Sequence, residues 1–411
     1  MNSWPKSLLL TFFLMLAGLV PIETQAEELK SAIDKKVTVR LWSGKEYADA
    51  MLVRIDRDKK TDLPKKIRLS LSGGKKKALD FDKVQTIELA GKSLYEAPEE
   101  GGKKYRSRRQ SRADRLAAEQ AAKRKRWLAQ AEARGVKPWP ELTEEEHQQA
   151  LYLQKQRYEE ARKLFPQLQM VETEHFLFCT NLTVQEVGAY VAALDRMYIW
   201  MQQAYGVDPE KSVWRGKASI YAFRTEDEFN AFEQHFYKYR PQPGTAGLCH
   251  SNPQRDIVIS AKRGSNYDFF GLLLVHETSH GFIHCYETPV RVPSWVNEGM
   301  AEVIASMMVP KSNSVQRKEE SFVRSMGKTP QPRLGEAFFA TDANIPFDRY
   351  GGASSMTRFL LEIEQAKYVE FIRLLKTGMP WEEALDKSYG ASKQQLVASY
   401  GRRIGIPILQ P

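Results

Sequence analysis

Between positions 30 and 95 apolar and polar residues alternate in short runs. "KVTVRLW", "YADAMLVRID", "KIRLSLS" and "KVQTIEL" are β-rich, and the clusters "SGKE", "DRDKKTDLPK" and "SGGKKK" separate them. Four or five such strands predict a small antiparallel barrel. After residue 98 the alternation stops. "SRADRLAAEQAAKRKRWLAQAEAR" and "TEEEHQQALYLQKQRYEEARKLF" are built from strong helix formers, and "GVKPWPE" breaks the two. Thr143 and Glu146 give the second helix a capping pattern. With few core-sized residues before Trp127, residues 98–169 read as a charged helical linker.

From about 170 onward the pattern is α+β. "VETEHFLFCTN" and "GKASIYAFRT" read as strands, and "GTAGLCHSNPQRDIVISA" as a strand pair around an Asn-Pro turn. "TVQEVGAYVAALDRMYIWMQQAYG" is a long amphipathic helix ending at Gly206, and "TEDEFNAFEQHF" opens a helix capped by Thr225 and Glu228. "DFFGLLLVHETSHGFIH" and "VNEGMAEVIASMMV" are apolar helices, followed by a helical C-terminal part.

The first residues have another character. "MNSWPK", the apolar "SLLLTFFLMLAGLV" and the small residues of "TQA" predict a secretory signal peptide over 1–26. The run is shorter than the ~20 residues that span a bilayer, and no other segment is apolar enough, so no transmembrane span is expected. The expected location is the periplasm, cell envelope or extracellular space. The expected organisation is multidomain: signal peptide 1–26, small β-barrel module 27–97, linker 98–169 and an α+β domain 170–411.

Composition adds one local feature. The net charge of +10 equals the excess of residues 101–137, which hold 13 Lys or Arg against Asp114, Glu119 and Glu132. That stretch reads as a solvated linker, with an anionic envelope polymer as the partner it would attract. No groove-reading motif accompanies it, so no specific nucleic acid is expected. Cys179, Cys249 and Cys285 are an odd set without metal-knuckle spacing, and read as small buried hydrophobes with at most one bridge.

The candidate chemistry lies in "HETSH". His276 and His280 are four apart, so on a helix both imidazoles face one ion, and Glu277 is placed to take a proton from water there. The alternative is a pair of hydrogen-bonded core histidines. His284 lies about 12 Å along the axis from His276 at 1.5 Å per residue, too far for one ion, and reads as a neighbour. Glu298 in "SWVNEGMAE" is the better third ligand, because seventeen residues leave room for a loop and a return. Glu302, one turn on, is placed to hold the free ring N–H of a ligand histidine. An ordinary acidic pair on a helix is the alternative, but Trp295, Val296, Met300, Val303 and Ile304 border both carboxylates.

"HETSH" followed by "WVNEGMAE" resembles the gluzincin metallopeptidases. Residues 170–400 also resemble the peptidase-MA-like domains of exported bacterial proteins, through "LLLVHETSHGFIH", "VPSWVNEGMAEVIA", "YGGASSMTRFLLE" and "GMPWEEALDKSYGASKQQL". The β-rich module is similar to SH3-like modules, through its strand count and "LWSGKEYADAMLV". The metallopeptidase resemblance implies one Zn2+ per chain on His276, His280 and Glu298, Glu277 as general base, and a peptide or protein substrate. Tyr350 resembles the tyrosine that follows the third ligand in several gluzincins and stabilises the oxyanion; a plain core or turn aromatic is the alternative. His250, beside a suspected substrate-pairing strand that reads equally as a plain hairpin, is a second candidate donor, with a structural role as the leading alternative. A Gly-x-Met-Glu-Asn segment, by which zinc aminopeptidases hold a free amino terminus, is absent from the sequence. The alternative function is a catalytically inactive zincin fold acting as an envelope or matrix binding module.

Overall fold

The computed structural model describes residues 29–41, 45–58, 64–96, 118 and 121–411. The expected signal peptide and nearly all of 101–120 lie outside the described residues. The chain divides into two compact units, Met1–Lys123 and Arg124–Pro411.

The first unit is an antiparallel sheet of six strands: β1 (Lys36–Leu41), β2 (Glu46–Arg57), β3 (Pro64–Ser70), β4 (Lys76–Asp80), β5 (Val84–Leu89) and β6 (Lys92–Glu96), ordered β4-β3-β2-β1-β5-β6. Alternation drives it. Val37, Val39, Ala50, Leu52, Ile67, Leu69, Val84 and Ile87 turn into one core. The sequence pattern misses β4 and β6. Lys76 and Lys77 suggest a turn, yet β4 is an edge strand, where lysines are tolerated and discourage pairing with other chains.

The second unit places a mixed five-stranded sheet beside a helical half. Its strands are β7 (Gln169–Glu172), β8 (Phe176–Thr180), β9 (Ala218–Phe223), β10 (Gly247–Ser251) and β11 (Ile257–Lys262), ordered β10-β11-β9-β8-β7. β8, β9 and β11 are parallel, and β7 and β10 are antiparallel edges. One face packs on α1 (Glu144–Leu164) and α3 (Glu226–Tyr237), through Tyr158, Tyr221, Phe223, Phe229 and Phe232. The other meets α2 (Val184–Tyr205) and α4 (Tyr267–Cys285), where Phe176, Tyr198, Trp214 and Phe282 form a ring cluster. Then follow α5 (Ser294–Met308), α6 (Ser314–Gly327), α7 (Glu336–Phe339), α8 (Tyr350–Ile363), α9 (Gln365–Lys376), α10 (Trp381–Tyr389) and α11 (Lys393–Arg403). No helix among the described residues is long and apolar enough to cross a membrane.

Residues 124–169 correct the linker expectation, because they pack as part of this unit. Helical residues 124–133 bury Trp127 and Ala131, and α1 buries Ala150, Gln154, Tyr158 and Ala161 along one stripe. A narrow stripe of small and aromatic residues suffices to dock a helix that is otherwise charged. Part of the local charge is used internally. Arg124 Nε donates to both carboxylate oxygens of Glu287, at 2.7 and 3.0 Å, and Arg134 reaches Glu383.

Candidate metal centre

α4 is apolar nearly all round, as a helix buried on several sides must be. Thr278 and Ser279 donate to the carbonyls of Leu274 and Val275, so their hydroxyls need no outside partner. His276 and His280 project from α4 toward α5, which starts directly after Pro293 and carries Glu298 inward. Ser294 is the first helical residue, and its hydroxyl accepts from the Ile345 N–H.

Three donor atoms converge. His276 Nε2 and His280 Nε2 are 3.1 Å apart, and Glu298 Oε2 lies 3.2 and 3.5 Å from them. Ligands on one tetrahedral ion with ~2.05 Å bonds stand about 3.3 Å apart, so this spacing fits a shared cation with a fourth position left over. His276 and Glu298 are 7% and 8% exposed, and Glu298 Oε2 and His280 Nδ1 are buried without a hydrogen-bond partner. Burial opposes charge on Glu298, yet the two imidazoles hold its carboxyl well below the usual range. Burial likewise opposes the His280 proton, but Glu298 overrides it and lifts His280 to about 9.

Behind His276, Glu302 Oε1 lies 3.6 Å from Nδ1 and accepts from Lys318 Nζ of α6 at 2.5 Å. Glu302 is 1% exposed, so the ammonium compensates a buried carboxylate. Glu277, Glu298 and Glu302 set against Lys318 leave a formal charge of about −2 with neutral imidazoles, which a divalent ion balances.

Tyr350 opens α8, and its ring lies parallel to His276, 6.4 Å away at 13°. Burial and the carboxylates of Glu298 and Glu277 raise its pKa, keeping the phenol protonated as a donor. This placement needs Gly351, where a Cβ would run into the Lys318 carbonyl of α6. Glu277 is half-buried on the side of α4 facing β10, and an added Cβ on Gly247 would come within 3.2 Å of its Cγ. The edge strand therefore lies directly against the candidate base.

Two histidines stand apart. The His284 ring lies tilted against Trp139, 5.8 Å away at 53°, and the His284 carbonyl accepts from Trp139 Nε1. His250 points to the other face of the sheet, stacked on Tyr237 at 3.6 Å and bonded to the buried Glu233. In β10 it is Gly247 and Cys249 that face α4, so alternation turns His250 away from the cluster. Cys179, Cys249 and Cys285 are unbridged, and burial raises all three thiols. Lys318 is the residue that sequence reasoning missed. Its only signal is that Glu302, in an apolar helix, needs a cation. Comparison with known proteins finds no matching family model and no curated protein that matches the chain.

Proposed function

We propose that the chain is an exported, gluzincin-like zinc metallopeptidase acting on peptide or protein substrates. The carrying observation is the donor triangle of His276, His280 and Glu298 with Glu277 beside it. Two imidazoles and one carboxylate with an open fourth position are a donor set that suits catalytic zinc. When bound there, zinc supplies Lewis acidity toward water and a peptide carbonyl. Glu277 takes the proton from the attacking water and hands it to the departing amine, which keeps the proton count balanced. Tyr350 donates to the carbonyl oxygen as negative charge builds on it. Glu302, held by Lys318, sets its carboxylate 3.6 Å from His276 Nδ1, where its charge favours the proton on that nitrogen and leaves the Nε2 lone pair toward the ion. The N-terminal module and the basic run are proposed to hold the enzyme to an anionic envelope polymer.

The test is zinc stoichiometry together with peptide hydrolysis, for wild type and Glu277→Gln. About one zinc per chain is expected in both, with hydrolysis reduced ~10²–10⁴-fold in the variant. Retained hydrolysis in Glu277→Gln would remove the base assignment. Bound zinc without hydrolysis in wild type would favour an inactive binding module.

A further inference from the structure

A line of rings leads outward from the metal cluster. Tyr350 stands on His276, and Phe347 stands against Tyr350 at 5.3 Å and 46°. Phe347 is 73% exposed, more than any other aromatic side chain among the described residues. Its position is nonetheless set by its surroundings. The preceding Ile345 is 3% exposed and donates its N–H to Ser294 at the start of α5, the helix of Glu298. Phe347 itself begins a short 3-10 turn, Phe347–Arg349, that runs straight into Tyr350. The ring is thus an apolar surface held in place beside the cluster, with low ordering cost on binding. Lys318 Nζ adds a positive charge 5.5 Å from the ring.

We infer that Phe347 is a specificity-determining residue, which takes up an apolar side chain of the substrate within about three residues of the scissile bond. The inference rests on the peptidase reading of the site. Its reach follows from distance. The two ring-to-ring steps place Phe347 at most about 12 Å from the His276 ring, and an extended peptide covers ~3.3 Å per residue. A residue four or more away is therefore out of reach. The occupant is apolar because the free ring offers dispersion and burial without a hydrogen-bonding group.

The experiment uses the full-length zinc-loaded protein and a peptide set carrying Phe, Ser or Lys in turn at each position around one cleaved bond. Cleavage is read by kcat/KM for wild type, Phe347→Ser and Phe347→Leu. Binding is read by fluorescence anisotropy on a Glu277→Gln background with the same two changes. The expected result is a preference of about tenfold or more for Phe over Ser at one position within three residues of the bond. Phe347→Ser brings the Phe peptide down to the Ser peptide at that position alone, and Phe347→Leu keeps most of the preference. A preference that survives Phe347→Ser, or that falls equally at every position, overturns the inference. If wild type cleaves nothing but anisotropy shows the Phe347-dependent preference, the peptidase reading fails and the subsite stands. Absence of both cleavage and binding overturns both.

Discussion

If the cluster holds the proposed zinc, removing it should make stability respond to pH in a way that the zinc-loaded protein does not. In the metal-free cluster burial disfavours the His280 proton, but Glu298 outweighs burial and raises the pKa from 6.5 to about 9. A raised histidine pKa stabilises the fold fully below 6.5, and the contribution is lost as pH climbs through 9. At 1.36 kcal/mol per tenfold, the span amounts to about 3 kcal/mol. With zinc bound, His280 is a neutral ligand across that range, so the loss does not occur. Glu298 is depressed, so its own contribution is present above about 4.5 and is constant here. Lys376 has the opposite sense. Burial lowers its pKa to about 7, so the cost of its buried charge fades and stability rises from there to the ordinary 10.5. Lys376 donates to the carbonyls of Ile283 and Val290 whether or not metal is present, and it cancels in a difference. The melting-temperature gap between zinc-loaded and chelator-treated protein should therefore widen between pH 6.5 and 9. At ~2–4 °C per kcal/mol for a unit of this size, the widening is about 6–12 °C. Differential scanning calorimetry on both forms at closely spaced pH values measures it. A gap that stays constant or narrows over that range would refute the His280–Glu298 electrostatics and the metal's place between them.

Two substitutions probe the supports of the cluster. Glu302→Ala removes the acceptor aimed at His276 Nδ1 and leaves Lys318 without its partner. Zinc affinity, measured by chelator competition, should weaken about 10–100-fold, and an unchanged affinity would show that Glu302 does not orient the ring. Gly351→Ala forces a methyl group into the Lys318 carbonyl and pushes α8 from α6. A destabilisation of about 1–3 kcal/mol is expected in the urea midpoint, with a loss of hydrolysis as Tyr350 leaves its place on His276. Wild-type stability in that variant would show that the two helices have slack.

Much of the centre was legible because helical spacing is a local property. His276 and His280 share a face at four residues' separation, and the same geometry separates His284 from them. Glu298 and Glu302 stood out because carboxylates in an apolar helix need positive partners. The long helices of the second unit followed from period and capping, and Thr225–Glu228 and Thr143–Glu146 both close capping boxes, whereas the stretch read as one strand, "VETEHFLFCTN", holds parts of two antiparallel strands, β7 and β8. What was not legible depends on contacts between distant segments. The stripe that docks α1 contains two alanines, a glutamine and one tyrosine, so composition alone suggested a solvated linker. His250 lies on the strand nearest Glu277, but which parity of β10 faces α4 is settled only when the helix packs on the sheet. Lys318 sits in "SVQRKEESF", indistinguishable from a surface lysine until α6 brings it to Glu302. The sequence thus exposes the charges that need compensation more readily than the residues that compensate them.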